Sequence, residues 1–242
     1  MSIIFFTVSR TIIYAYTIEN DYLRRYYLEE NHVSIGMKAP DFSAQTTFGP
    51  VKMSDYAGKW VIFFSHPGDF TPVCTTEFVA FSQAFPQFEQ LGASLLGLSI
   101  DSNPSHLDWV NTIKELTGIT VPFPVVADRS GDVARLYGMI APNASSTETV
   151  RNVFFIDPNQ IIRAILIYPL TNGRSIPEIL RLLKALQTTD EHSVVTPANW
   201  VPGQPVLVPP AKTFDELVKR DTDPEALGLQ CVDWFWCYKK ID

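Results

Sequence analysis

The residues best able to do chemistry lie together in Ser65-His66-Pro67-Gly68-Asp69-Phe70-Thr71-Pro72-Val73-Cys74-Thr75-Thr76-Glu77. Cys74 is the candidate nucleophile, because a cysteine thiolate attacks soft electrophiles such as a disulfide sulfur or a polarised oxygen. Its ionisation depends on its surroundings. The preceding run Trp60-Val61-Ile62-Phe63-Phe64 is short, apolar and rich in β-branched and aromatic side chains, which predicts a buried strand. Between Thr75 and Leu91, the residues Phe78, Phe81, Phe85, Phe88 and Leu91 recur at helical spacing. Cys74 is therefore expected where a strand hands over to a helix, in or near the first turn. Unpaired backbone N–H groups and the positive end of the helix dipole favour an anion there, and a thiolate is that anion. Pro67 and Pro72 stiffen the loop, and Thr71 offers a hydroxyl to the sulfur or to an incoming oxygen. The plainer reading of Cys74 is a buried structural thiol, since free cysteine is among the most buried residue types.

The frame Pro-x-x-x-Thr-x-x-Cys formed by Pro67, Thr71 and Cys74 resembles the peroxidatic motif of the peroxiredoxins, and the full string is similar to that of their 1-Cys (six-type) clade. The resemblance runs over roughly residues 34–242, from the entry Ala39-Pro40-Asp41-Phe42 to the string Val195-Thr196-Pro197-Ala198-Asn199-Trp200 and beyond. It implies a thiol-specific peroxidase that reduces hydrogen peroxide and organic hydroperoxides to water and alcohols. Cys74 would become sulfenic acid on the way. Displacement at oxygen requires an ionised sulfur, an aligned O–O bond and stabilised charge on the leaving oxygen. Thr71 can hydrogen-bond sulfur and peroxide, and Pro67 shields the sulfenate from water. Backbone N–H groups of Val73 and Cys74 can bind the peroxide oxygens. The resemblance carries the required cation onto Arg151, just ahead of Asn152-Val153-Phe154-Phe155-Ile156-Asp157-Pro158, and a second pocket arginine onto Arg174. The bland alternative for Arg151 is an exposed salt-bridge arginine. Glu77, one helical turn from Cys74, could orient an arginine through a bidentate pair, or be an ordinary first-turn glutamate. In the resembled clade a histidine lies near the catalytic cysteine. His66 could thus tune the thiol or hold a peroxide through water, or equally be a satisfied wall residue.

The two remaining cysteines, Cys231 and Cys237, flank the aromatic stretch Val232-Asp233-Trp234-Phe235-Trp236. Similar C-terminal pairs in archaeal and bacterial relatives of the clade imply that Cys237 resolves the sulfenate across subunits, with Cys231 as its exchange partner and a thioredoxin-type reductant completing the cycle. Two buried, aromatic-packed thiols with a 1-Cys cycle and an external thiol remain open, as does an intramolecular Cys231–Cys237 disulfide. A redox-regulated, chaperone-like assembly is the non-enzymatic alternative. The clade's swapped arm implies a homodimer, and a homodecamer is the family's larger assembly. Some clade members carry a Gly-x-Ser-x-Gly phospholipase motif. Here Ala57-Gly58-Lys59-Trp60-Val61 has Lys59 in place of that serine, so the second activity is unsupported.

Composition narrows the remaining classes. With 46% hydrophobic and 19% charged residues the chain of 242 residues is ordinary globular material. A net charge of −7 argues against nucleic acid and anionic membranes as partners. No run of about 18 apolar residues predicts a transmembrane helix. Three cysteines do not make a secreted disulfide framework, which suits a reducing, cytoplasmic setting. No metal is expected, since no zinc-type spacing occurs, and no cofactor is implied.

Three segments are expected: an N-terminal extension at 1–33, a peroxidase domain at 34–189 and a C-terminal dimerisation arm at 190–242. Further strands are predicted at 93–100, 122–126, 152–156 and 161–167, with a hairpin at 46–53. Helices are predicted at 105–117, 128–136, 177–188 and 213–219. Alternation of strands and helices with a closing hairpin indicates an α/β layer fold, a mixed sheet flanked by helices. The resemblance specifies the thioredoxin-like fold with a C-terminal extension.

Overall fold

A computed structural model describes residues 33–241. The expected N-terminal extension lies almost wholly outside the described residues. The strand before the cysteine, β3 (Trp60–Ser65), is buried at every position. Such continuous burial suits a strand covered on both faces. Its neighbours account for this: β4 (Ala93–Ser99) pairs with it in parallel and β6 (Arg151–Ile156) in antiparallel register. The seven-stranded mixed sheet is completed by β1 (Ser43–Thr46), β2 (Gly49–Lys52), β5 (Val125–Ala127) and β7 (Ile162–Tyr168), in the order β2-β1-β5-β4-β3-β6-β7.

Helices α1 (Pro72–Gln90), α2 (Asn103–Thr117) and α4 (Ile176–His192) cover one face of the sheet. Phe64, Phe78, Phe81, Phe123, Val153 and Phe155 form the centre of that layer. On the other face, Phe63, Leu96, Leu98, Phe154 and Tyr137 pack with the short helix α3 (Asp132–Leu136). The alternation along β3 and β6 divides the two cores: odd and even residues point to opposite layers.

Helix α1 opens with Pro72 at its first position, where a missing N–H costs nothing. Helix α2 is capped by Ser102, whose hydroxyl accepts the Ser105 N–H, and ends at Gly118 with φ 74°. Helix α3 is shorter than the expected 128–136. Gly131 turns left-handed at φ 72°, and the Asp128 carboxylate accepts the N–H groups of Val133 and Ala134, so the helix begins only at Asp132. The hairpin also departs from expectation: Ser43–Thr46 pairs with Gly49–Lys52 around Thr47-Phe48. The Thr46 hydroxyl holds that turn by donating to the Gly49 carbonyl at 2.7 Å and accepting the Phe48 N–H.

Beyond α4 the expected extended arm includes a small sheet of β8 (Val206–Leu207), β9 (Gln230–Asp233) and β10 (Trp236–Lys239), ordered β8-β10-β9, with helix α5 (Phe214–Thr222) between β8 and β9. Trp200 anchors this region. It is buried with Ala185, Val194 and Val206, donates its indole N–H to the Gln204 carbonyl at 3.0 Å, and offers its own carbonyl to Arg181 of α4 at 2.8 Å. Among the described residues no helix is long and apolar enough to cross a membrane.

Candidate active site

Cys74 lies in the first turn of α1 and is fully buried. The first backbone hydrogen bond of the helix runs from Thr75 N–H to the Thr71 carbonyl. The N–H groups of Val73 and Cys74 precede it, in the part of a helix that has no intrahelical acceptors, as the sequence suggested. The sulfur has a cationic neighbour: Arg151 Nη1 donates to Sγ at 3.3 Å. Arg151 begins β6, and its alternation with Val153 and Phe155 turns it to the α1 side of the sheet. It is a buried arginine, not the exposed salt-bridge residue that was its alternative.

Two carbonyl and carboxylate contacts fix that guanidinium. The Leu170 carbonyl accepts from Arg151 Nε at 3.2 Å and Nη2 at 2.7 Å, and Glu77 Oε2 accepts from Nη1 at 2.8 Å. Glu77 is shared with Arg174, whose backbone N–H and Nε reach Oε1 at 2.8 and 2.9 Å and whose Nη2 reaches Oε2 at 2.6 Å. Arg174 Nη1 also donates to the Ser65 and Asn152 carbonyls. Burial pushes the Glu77 carboxyl up, but the charge and hydrogen bonds of Arg174, then the charge of Arg151, outweigh it and hold the group below the usual carboxylate range. Burial pulls the Arg174 guanidinium down, against the charge and hydrogen bonds of Glu77. Two guanidinium charges thus meet one carboxylate, leaving one positive charge beside the sulfur.

The Thr71 hydroxyl donates to the Gly68 carbonyl at 2.9 Å, closing the loop on itself. Phe70, just before it, takes φ 55°, a left-handed conformation rare for a bulky residue and concentrated at functional sites. His66 is fully buried, with its ring 5.1 Å from Trp109 and 4.8 Å from Phe78. Trp109 in turn donates its indole N–H to the Thr75 hydroxyl at 3.3 Å.

Sequence reasoning did not find Asp69 and His106 as members of this site. Asp69 Oδ1 lies 3.0 Å from His66 Nε2, and His106 Nδ1 lies 2.8 Å from Asp69 Oδ2. These three are also the one group of metal-type donors among the described residues, with ligand atoms within 4.8 Å of one another. The donors are already committed to hydrogen bonds with each other. The two C-terminal cysteines form a disulfide, Cys231–Cys237, across directly opposed positions of β9 and β10. That is the third of the pairings the sequence left open. Cys74 is a free thiol.

Residues 35–165 match the model of the AhpC/TSA family, and residues 185–222 match the C-terminal domain of 1-Cys peroxiredoxin. The chain belongs to the AhpC/TSA family. Among curated peroxiredoxins, peroxiredoxin 2 of Caldanaerobacter subterraneus subsp. tengcongensis is 57% identical over 207 residues, covering 86% of this chain and 93% of that protein. Among solved structures, a yeast mitochondrial 1-Cys peroxiredoxin, described with glutathione/thioredoxin systems as its thiol-resolving route, superposes with a TM-score of 0.77 at 39% identity, over 86% of this chain and 100% of that one. A cysteine-to-serine mutant of the peroxiredoxin 6 of Arenicola marina gives 0.76 at 33%, over 86% and 98%. The chain is therefore a peroxiredoxin with the thioredoxin-like fold: a thiol peroxidase that reduces peroxide through a peroxidatic cysteine.

Proposed function

We propose that Cys74 is that cysteine, reducing hydrogen peroxide and small organic hydroperoxides. The observation that carries this reading is the Arg151 guanidinium, 3.3 Å from Sγ at the opening of α1. The thiolate attacks one peroxide oxygen; the O–O bond breaks, sulfur takes up the oxygen as sulfenic acid, and the other oxygen leaves as water or alcohol. Arg151 stabilises sulfur and the leaving oxygen, while the N–H groups of Val73 and Cys74 bind the peroxide. The surplus positive charge of Arg151 and Arg174 over Glu77 offsets the negative charge of the attacking sulfur, since buried charge is tolerated only when paired. Arg174 positions Arg151 through their shared hold on Glu77, and Pro67 shields the sulfenate. Thr71, engaged with Gly68 in the resting state, still offers oxygen lone pairs to a peroxide proton. His66, buried against Trp109 and Phe78, supports the loop.

The second half of the cycle is a two-cysteine one. Cys237 of another subunit attacks the Cys74 sulfenic acid, forming an intersubunit disulfide and releasing water. Cys231 then displaces Cys74 from Cys237, and a dithiol reductant of thioredoxin type reduces the resulting Cys231–Cys237 bond. The pairing of these two cysteines across β9 and β10 favours this reading. The arm at 190–242 would cross between subunits of a homodimer, with residues 34–189 as the peroxidase domain and a decamer as the larger assembly. Exposed Val232, Phe235 and Trp236, at 68%, 55% and 44%, are apolar surface that a partner subunit would cover. We place the enzyme in the cytoplasm, where a thioredoxin-type reductant operates.

The test is intact mass and non-reducing electrophoresis after one equivalent of hydrogen peroxide. Starting from reduced protein, a disulfide-linked dimer trapped in Cys231→Ser and absent from Cys237→Ser is the expected result. Sulfenic or sulfinic acid on Cys74 in both proteins, with no linked dimer, would establish a 1-Cys cycle instead. Full peroxide consumption by Cys74→Ser would remove the assignment altogether.

A further inference from the structure

A second buried charge cluster lies at the base of the catalytic loop. The Asp69 side chain is only 1% exposed. Its Oδ1 lies 3.0 Å from His66 Nε2, and His106 Nδ1 lies 2.9 Å from Oδ1 and 2.8 Å from Oδ2. The other ring nitrogen of His106, Nε2, lies 3.2 Å from the Val126 carbonyl of β5.

A proton count follows from the acceptors. Carboxylate and carbonyl oxygens only accept, so His106 meets both only with hydrogen on both ring nitrogens. His66 needs hydrogen on Nε2 alone. Its Nδ1 has no partner among the described residues, and burial pushes the ring below its ordinary value, so it is neutral. The Asp69 carboxyl is pushed up by burial, but hydrogen bonds from His106 and His66 hold it well below the usual range. One carboxylate and one imidazolium remain, buried, joining the loop to α2 and β5. Removing either charge leaves the other buried without a partner.

We propose that Asp69 and His106 form a proton-dependent clasp on the catalytic loop. With the imidazolium in place, the clasp holds residues 66–71 against α2 and β5 and so positions His66 and the first turn of α1. With a neutral imidazole, one ring nitrogen turns a lone pair on an acceptor, the loop loosens and peroxide reduction slows. Both are positioning residues, and the inference rests on Cys74 as the reacting thiol.

The surrounding charges are few. Asp101, in the turn before α2, accepts the Asp69 N–H at 2.9 Å and the Ser99 hydroxyl at 2.8 Å. Arg174, reaching across from the loop before α4, acts on His66 and opposes further positive charge. β5 contributes only the Val126 carbonyl. Both ring nitrogens of His106 face acceptors, so the clasp is complete only while both carry hydrogen, and a ring that loses one turns a lone pair on a carboxylate or a carbonyl. A site limited by thiolate formation alone would speed up with pH and level off, so a fall in rate on the alkaline side needs a second group that acts in its protonated form, and His106→Asn tells whether it is this one.

The experiment combines two readouts on the full chain. Nitrogen NMR of the histidine rings should find both nitrogens of His106 protonated at neutral pH. Single-turnover peroxide kinetics should show the wild-type rate falling about tenfold or more on the alkaline side, in step with that ring's loss of its proton. His106→Asn, a neutral donor, should be slower at neutral pH by about ten- to a hundredfold, the scale of small misplacements of reacting groups, and should show no alkaline fall. A neutral His106 ring at neutral pH, or an alkaline fall that persists in His106→Asn, overturns the clasp. The ring spectrum answers for the clasp even if the wild type shows no turnover, a result that would instead sink the Cys74 reading.

Discussion

Glu77→Gln is the sharpest test of how the site is held. The carboxylate receives four hydrogen bonds, three from Arg174 and one from Arg151. Glutamine keeps the shape but removes the charge and turns an NH2 donor onto one of these guanidinium or N–H donors. Both arginines are buried, so neither can turn to water. Truncating one partner of a buried ion pair costs about 3–5 kcal/mol. Glu77 serves two cations, so the upper part of that range is expected, a large share of a total stability of about 5–15 kcal/mol. Urea unfolding of reduced protein should show the midpoint falling with little change in slope. Peroxide reduction should fall as well, because Arg151 Nη1 bridges Glu77 and the sulfur. A double-mutant cycle with Arg174→Met separates pair from packing: the coupling should exceed about 1 kcal/mol. The reasoning is refuted if Glu77→Gln loses less than about 1 kcal/mol and keeps the wild-type peroxide rate.

Arg151→Met should lower kcat/KM for hydrogen peroxide by about a hundred- to a thousandfold, the scale for one preorganised donor at a developing charge, with far-UV circular dichroism unchanged; stopped-flow peroxide consumption checks it. Trp200→Ala should cost about 3–5 kcal/mol and free the C-terminal sheet to proteolysis before the main domain, read by limited digestion and mass spectrometry. Stability should also depend on acid through Asp69. Its folded carboxyl is held below the unfolded one, so its contribution is present above about pH 4 and is lost only as pH falls well below that. Asp69→Asn should therefore be less stable than wild type at neutral pH, and the gap should close in strong acid.

The parts legible in the sequence were those encoded locally. Trp60–Ser65 announces a strand by its unbroken apolar run, and the spacing of Phe78, Phe81 and Phe88 announces the helix behind Cys74. Glu77 could be suspected because it lies one turn from the sulfur. The arginine it serves most, Arg174, is 97 positions away and meets it only through the fold. Asp69 and His106 are 37 positions apart and converge because α2 returns across the sheet beside the loop. A His-x-x-Asp string carries no period that would reveal this. The C-terminal sheet was hidden for another reason: its strands are 2 to 4 residues long and one carries a register shift, too short for alternation to register. Helix α3 is shorter than its apolar spacing suggests because Gly131 turns left-handed and the Asp128 carboxylate reaches forward past it to accept the Val133 and Ala134 N–H groups.

Trp109 gives the molecule an optical property of its own. Its indole lies against His66 at 5.1 Å and against Phe78 at 4.5 Å, and its N–H is tied to the hydroxyl of Thr75, the residue after Cys74. Any unwinding of that first turn must break this tie and change the polarity around a fully buried ring. Trp109 is therefore a built-in fluorophore for the catalytic turn. With Trp60, Trp200, Trp234 and Trp236 replaced by phenylalanine, the opening and closing of the site could be followed in real time through an oxidation cycle, without any label.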